Sequence, residues 1–148
     1  MANFSTFLYL IFGCLATLAA TIDIRVLENA DIRFGPDDVV QDKSLFKKLE
    51  DDKGQNFIGD LKIGEHKSQE TVFRRTIDVS NPTDDVYRTS MTLSVNNGII
   101  HYMNVQNEAG SYAVACDEQK TLGSSASRFN LRVIPKSKST LTLVIAAH

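Results

Sequence analysis

Cysteine is nearly missing from this sequence, with two in 148 residues, Cys14 and Cys116. Cys14 lies in MANFSTFLYLIFGCLATLAA, a stretch with no charged side chain, an apolar run from Phe7 to Leu18, and small residues at its end. The run is too short for a well-built membrane span and a polar chain follows. The pattern therefore reads as a signal peptide over residues 1–20, cut after Ala19 or Ala20. Cleavage removes Cys14 and leaves Cys116 alone. No intramolecular disulfide is then available, and an extracellular domain of this kind must be held by packing.

Other absences narrow the function. Net charge is only -2, so there is no basic field for direct nucleic-acid binding. No HExxH, His-x-His or Cys–His spacing joins His66, His101 and His148, and neither a zinc site nor a cofactor is expected. Neither a Gly-rich phosphate loop nor a GxSxG nucleophile elbow occurs. DDKGQNFIGD lacks the alternating ligands and closing glutamate of a calcium loop. Of two glycosylation sequons, NFS lies in the signal and NPT at Asn81 carries the forbidden proline. After signal cleavage no membrane anchor is expected.

What is present is ordinary globular composition, 43% hydrophobic and 23% charged, enough for one domain. Residues 21–60 carry a net charge of -4 and residues 61–148 a net charge of +2, so an acidic arm precedes a mildly basic body. In the arm, residues 21–56, TIDIRVL alternates as a strand and Gly35-Pro36 makes a turn. Leu45, Phe46 and Leu49 then share one face of a possible short helix that stops at Gly54.

From Phe57 the apolar period is two. ETVFRRTIDV places Phe73, Ile77 and Val79 on one face, and VYRTSMTLSV groups Tyr87, Met91, Leu93 and Val95 opposite Thr and Ser. Asn97-Gly98 predicts a hairpin into IIHYMNV. YAVAC, RFNLRVI and TLTLVIA follow as further strands. Short strands at roughly ten-residue spacing predict an all-β antiparallel sandwich or flattened barrel over residues 57–148.

Tyr112, Val114 and Cys116 alternate, so Cys116 is expected in the core as a small hydrophobe. An intermolecular disulfide is the alternative, and a nucleophile assisted by His101 and Asp117 a third. The pairs Asp37-Asp38, Asp51-Asp52 and Asp84-Asp85 read as hydrated turns, and the dibasic pairs Arg74-Arg75 and Lys47-Lys48 as uncleaved. Loops on a rigid sheet change chemistry without unfolding the core. The candidate binding-loop residues are therefore Asn81, Asp84, Asp85, Asn107, Glu108, Asp117, Glu118 and Lys120.

The order FIGD, VFRRTIDV, NNGIIHYMNVQNEAGSYA, LGSSAS, RFNLRVI and TLTLVIAAH resembles the insect multiprotein bridging factor two family over about the last ninety residues, 57–148. The resemblance implies one of two roles. One is that of secreted arthropod proteins of saliva, venom or haemolymph. The other is a transcriptional co-activator linking a DNA-bound nuclear receptor to the general transcription machinery. The signal peptide favours a secreted, non-enzymatic protein that binds a protein partner. The co-activator and a small secreted enzyme remain the alternatives.

Overall fold

The computed structural model describes residues 22–25, 29–41, 59–67, 69–117 and 121–148. Nine strands occur among them. They are β1 (Ile22–Arg25), β2 (Asn29–Phe34), β3 (Leu61–Gly64), β4 (Thr71–Asn81), β5 (Tyr87–Val95), β6 (Ile100–Asn107), β7 (Val114–Asp117), β8 (Ala126–Val133) and β9 (Ser137–Ala147). They form a five-stranded sheet in the order β1-β4-β9-β6-β3 and a four-stranded sheet in the order β2-β5-β8-β7. The result is an all-β sandwich, and not a closed barrel.

Alternation places the core. Ile77 and Val79 of β4, Met91, Leu93 and Val95 of β5, Phe129, Leu131 and Val133 of β8, and Leu141, Leu143 and Ile145 of β9 all point between the sheets and are buried. Burying side chains of this size contributes about 1.5–3 kcal/mol each. Phe73 packs half-buried against the same cluster. Thr89 also points inward and is buried, whereas the sequence pattern placed the threonines and serines of this strand outward.

The connections differ from the expected hairpins. β5 and β6 lie in different sheets, so the Asn97-Gly98 turn is a corner where the chain changes sheet. A type I′ hairpin turn needs positive φ at both central residues, and here only Gly98 has it. The β4–β5, β6–β7 and β8–β9 connections also cross between sheets. Only β7 and β8 are consecutive neighbours, paired antiparallel.

The arm belongs to both sheets. β1 pairs parallel with β4, and β2, which the sequence pattern did not separate from the following turn, pairs parallel with β5. These are the two parallel pairs in a set of ladders that is otherwise antiparallel. Ile32 and Phe34 of β2 lie in the core at 2% and 1% exposure. A single 3-10 turn follows at Pro36–Asp38, and Val39 bridges to Phe73 of β4. The short helix expected around Leu45, Phe46 and Leu49 and the signal peptide lie outside the described residues.

Cys116 is not a core residue. The inward positions of its segment are Ala113 and Ala115, at 0% and 7% exposure, while Tyr112 is 66% exposed and Cys116 is a half-buried free thiol. Close approach at this edge explains the parity. The Ala115 amide donates to the Gly59 carbonyl at 2.8 Å, and a Cβ at Gly59 would lie 2.5 Å from the Ala113 oxygen. Only small side chains fit inward where the backbones come this near, so the larger Tyr, Val and Cys turn out.

Candidate functional site

The sandwich has two ends, and the candidate loops divide between them. The 82–86 and 134–136 turns meet at one end, where the Lys136 amide donates to the Thr83 carbonyl at 3.0 Å. The 108–113 connection borders the same end, with the Tyr112 amide donating to Ser139 Oγ at 3.3 Å. The 121–125 loop lies at the other end, where the Ile100 amide donates to the Ser124 carbonyl at 2.8 Å.

Two of the candidate residues turn out to be internal braces. Asn81 is 1% exposed, and its Nδ2 donates to the carbonyls of Asp85, Val133 and Ile134 at 2.8, 3.0 and 3.2 Å. Asn107 is 6% exposed and exchanges two 2.9 Å hydrogen bonds with the Ala113 backbone, while both its N–H groups reach Asp60 Oδ1. Each asparagine gives a loop the backbone partners it would otherwise lack. Neither presents its amide to a ligand.

Asp84 and Asp85 are exposed, and among the described residues Asp84 makes only a solvent-exposed 3.6 Å ion pair with Lys136. Glu108 is exposed but accepts from the Thr142 hydroxyl. Asp117 is exposed at the end of β7, and Glu118 and Lys120 lie outside the described residues. Cys116, on the four-stranded sheet, and His101, on the five-stranded one, are not brought together as a nucleophile and base.

At the Asn81 end the outer face of the four-stranded sheet carries a surface that the sequence did not reveal. Val86, Tyr112 and Ile134 are exposed by 55%, 66% and 43%. The ladders pair Tyr87 with Val133 and Val114 with Arg132. Continued past the strand ends, they set Val86, Ile134 and Tyr112 in one row. The next outward row is Arg88, Arg132 and Val114, with Arg88 directly opposite Arg132. Both arginines are exposed, and neither has a carboxylate partner among the described residues. Like charges directly opposite on a sheet are destabilising. An exposed tyrosine and two aliphatics beside two unpaired arginines have the composition of a protein-binding hot spot.

The opposite end gathers Glu70, His101 and His148. One ligand atom from each lies within 4.8 Å of the others. The imidazoles stack at 4.4 Å and 18°, and His148 Nδ1 is 3.5 Å from Glu70 Oε1. The backbone builds this cluster. His101 occupies the irregularity where Ile100 and Tyr102 pair with the adjacent residues Ala147 and Ala146, a bulge that re-aims its side chain. His148 is held by reciprocal hydrogen bonds with Ile99 at 2.8 and 3.2 Å. Glu70 precedes β4, and its Oε2 accepts from the Lys67 amide at 3.0 Å. The three histidines were expected to be separate; these two are not, and His66 instead meets the edge of Tyr102. Their sequence positions share no motif, so no local spacing signalled the cluster.

Neither a protein-family model, nor a curated protein, nor a solved structure matches the chain.

Proposed function

We propose that the chain is a secreted, non-enzymatic β-sandwich protein that acts by binding a protein partner through the outer face of its four-stranded sheet at the Asn81 end. The observation that carries this reading is the exposed row Val86, Ile134 and Tyr112 beside the opposed Arg88 and Arg132. Tyrosine and arginine are enriched among residues that dominate binding energy, and an unpaired arginine couple selects an acidic partner surface. The loops 80–85 and 106–111, picked out from the sequence as candidate binding loops, border this face. The resemblance to secreted members of the bridging factor two family suggests the same class of role, and the signal-like first twenty residues suggest the compartment.

The test has two parts. Mass spectrometry of the exported protein should find a mature N-terminus at Ala20 or Thr21. Wild-type protein immobilised through its arm should retain a partner from extracellular fluid at fixed stoichiometry. Tyr112→Ala with Arg132→Glu should abolish retention while leaving the melting curve in place. Retention unaffected by this pair but lost on changing Asp117 would move the interface to the other end, and a retained Met1 would argue for the co-activator role.

A further inference from the structure

We propose that Glu70, His101 and His148 bind one divalent transition-metal ion of the zinc class, leaving a coordination position open to water. The donor set carries the chemistry. Two imidazoles and one carboxylate are the ligands zinc takes when it keeps a fourth position open, whereas calcium and magnesium seek oxygen donors throughout.

Two buried polar atoms point to a ligand. Glu70 is 2% exposed, and among the described residues its Oε1 has no hydrogen-bond donor, only the His148 ring at 3.5 Å. His101 Nε2 is likewise buried without a hydrogen-bond partner. A buried carboxylate oxygen and a buried ring nitrogen left unmatched are costly, and a dication between them satisfies both. Glu70 is already oriented by the Lys67 amide on its other oxygen, the supporting contact that metal-bound carboxylates require.

The donor distances are near those of a zinc site, and the change required is that the stacked His148 ring turn out of its parallel alignment with His101 so that both ring nitrogens face one ion. Zinc bonds of about 2.0–2.1 Å in a tetrahedron set donors roughly 3.3 Å apart. The Glu70–His148 pair stands at 3.5 Å, and the whole set lies within 4.8 Å. His148, with its side chain 55% exposed, is the ligand free to rotate inward, while Glu70 and the bulge residue His101 hold their places. A cavity of about 340 Å³ bordered by Lys67, Gln69, Glu70 and His148 gives the ion its way in.

The test uses tag-free full chain stripped with a chelator and titrated with zinc by calorimetry and with cobalt(II) by visible absorption. The expected result is one zinc per chain, cobalt ligand-field bands of a low-coordinate nitrogen and oxygen site, and a melting temperature that rises with zinc. His148→Ala, Glu70→Gln and His101→Ala should each weaken zinc by more than about 100-fold, beyond what losing a mere supporting contact costs. His66→Ala should leave affinity within about twofold. His148→Ala alters a largely exposed side chain, so it reports on binding even if the two buried variants fail to fold. Zinc binding that survives His148→Ala, binding that His66→Ala abolishes equally, or no saturable binding below about 1 mM zinc would overturn the assignment.

Discussion

Arg75 of β4 grips Asp38 of the arm through two hydrogen bonds, Nε to Oδ1 at 2.9 Å and Nη2 to Oδ2. The same Nη2 donates to the Arg33 carbonyl at 3.0 Å, and the guanidinium lies 5.3 Å from the centre of the Phe34 ring. With side chains only 18% and 13% exposed, this pair is sheltered from the screening that makes surface ion pairs nearly worthless. It is where the acidic arm meets the basic body. Arg75→Ala should cost about 2 kcal/mol in urea unfolding, since it strands a carboxylate and a carbonyl together. Arg75→Lys should recover little, because an ammonium cannot reproduce the two-pronged geometry.

Deleting everything before Phe57 should leave an insoluble fragment. The loss strips Ile32 and Phe34 from the core and opens β4 and β5 along the edges that β1 and β2 cover. Uncovered long strand edges recruit other chains. The measurement is solubility and thermal melting of residues 57–148. A soluble, cooperatively melting fragment would make the arm an accessory.

The strands easiest to read from the sequence were those with one wet face. β5 and β8 alternate cleanly, as β4 does from Ile77 onward, and the period of two follows from pleating alone. β9 is buried on both faces from Leu141 to Ala147 and shows in the sequence as an apolar run instead. β3 was missed because four residues ending in Gly64 are too short to show a period. Which strands share a sheet was hidden too, because a turn motif encodes reversal and not the face each flanking strand buries. The Tyr112 row was obscured by the same parity that misplaced Cys116. Both follow from the approach of Gly59 to Ala113, a contact between distant parts of the chain. The Glu70 cluster needed three strand ends to be brought together.

Cys116 should react promptly with a thiol reagent in the native protein. It faces outward on β7 opposite Asn130, half-buried and unpaired. Cys116→Ser should change stability by less than about 0.5 kcal/mol, as for other surface positions. A labelling rate that rises only on denaturation would return the thiol to the core, and an unreactive native thiol in unreduced material would point to a disulfide-linked dimer.

Asn107→Ala should be far more costly than its loop-edge position suggests. The change removes an amide that satisfies both the N–H and the C=O of Ala113 in buried hydrogen bonds, while Asp60 Oδ1 keeps the Asn107 backbone N–H. Leaving two buried partners unmet costs roughly 2–4 kcal/mol. Asp84→Ala, breaking an exposed pair, should cost less than about 0.5 kcal/mol. Chemical denaturation of the two variants separates brace from surface.

Gly64→Ala and Gly110→Ala form a matched pair that isolates a backbone clash from dihedral strain. Their φ values are +81° and +82°, so a Cβ imposes the same left-handed penalty, about 1 kcal/mol, at both. Around Gly110 nothing lies within 4 Å of the added carbon. At Gly64 it would sit 2.0 Å from the His101 carbonyl oxygen and 2.7 Å from Leu122 Cδ1. The leucine can swing away, but the carbonyl is fixed in the β6 bulge, so β3 must peel from its partner. Gly110→Ala should therefore melt within a few degrees of wild type, while Gly64→Ala should lose at least about 3 kcal/mol. Amide hydrogen exchange should accelerate over Leu61–Gly64 in the Gly64 variant alone. Equal stability of the two variants would mean that β3 yields without cost and does not hold His101 in place.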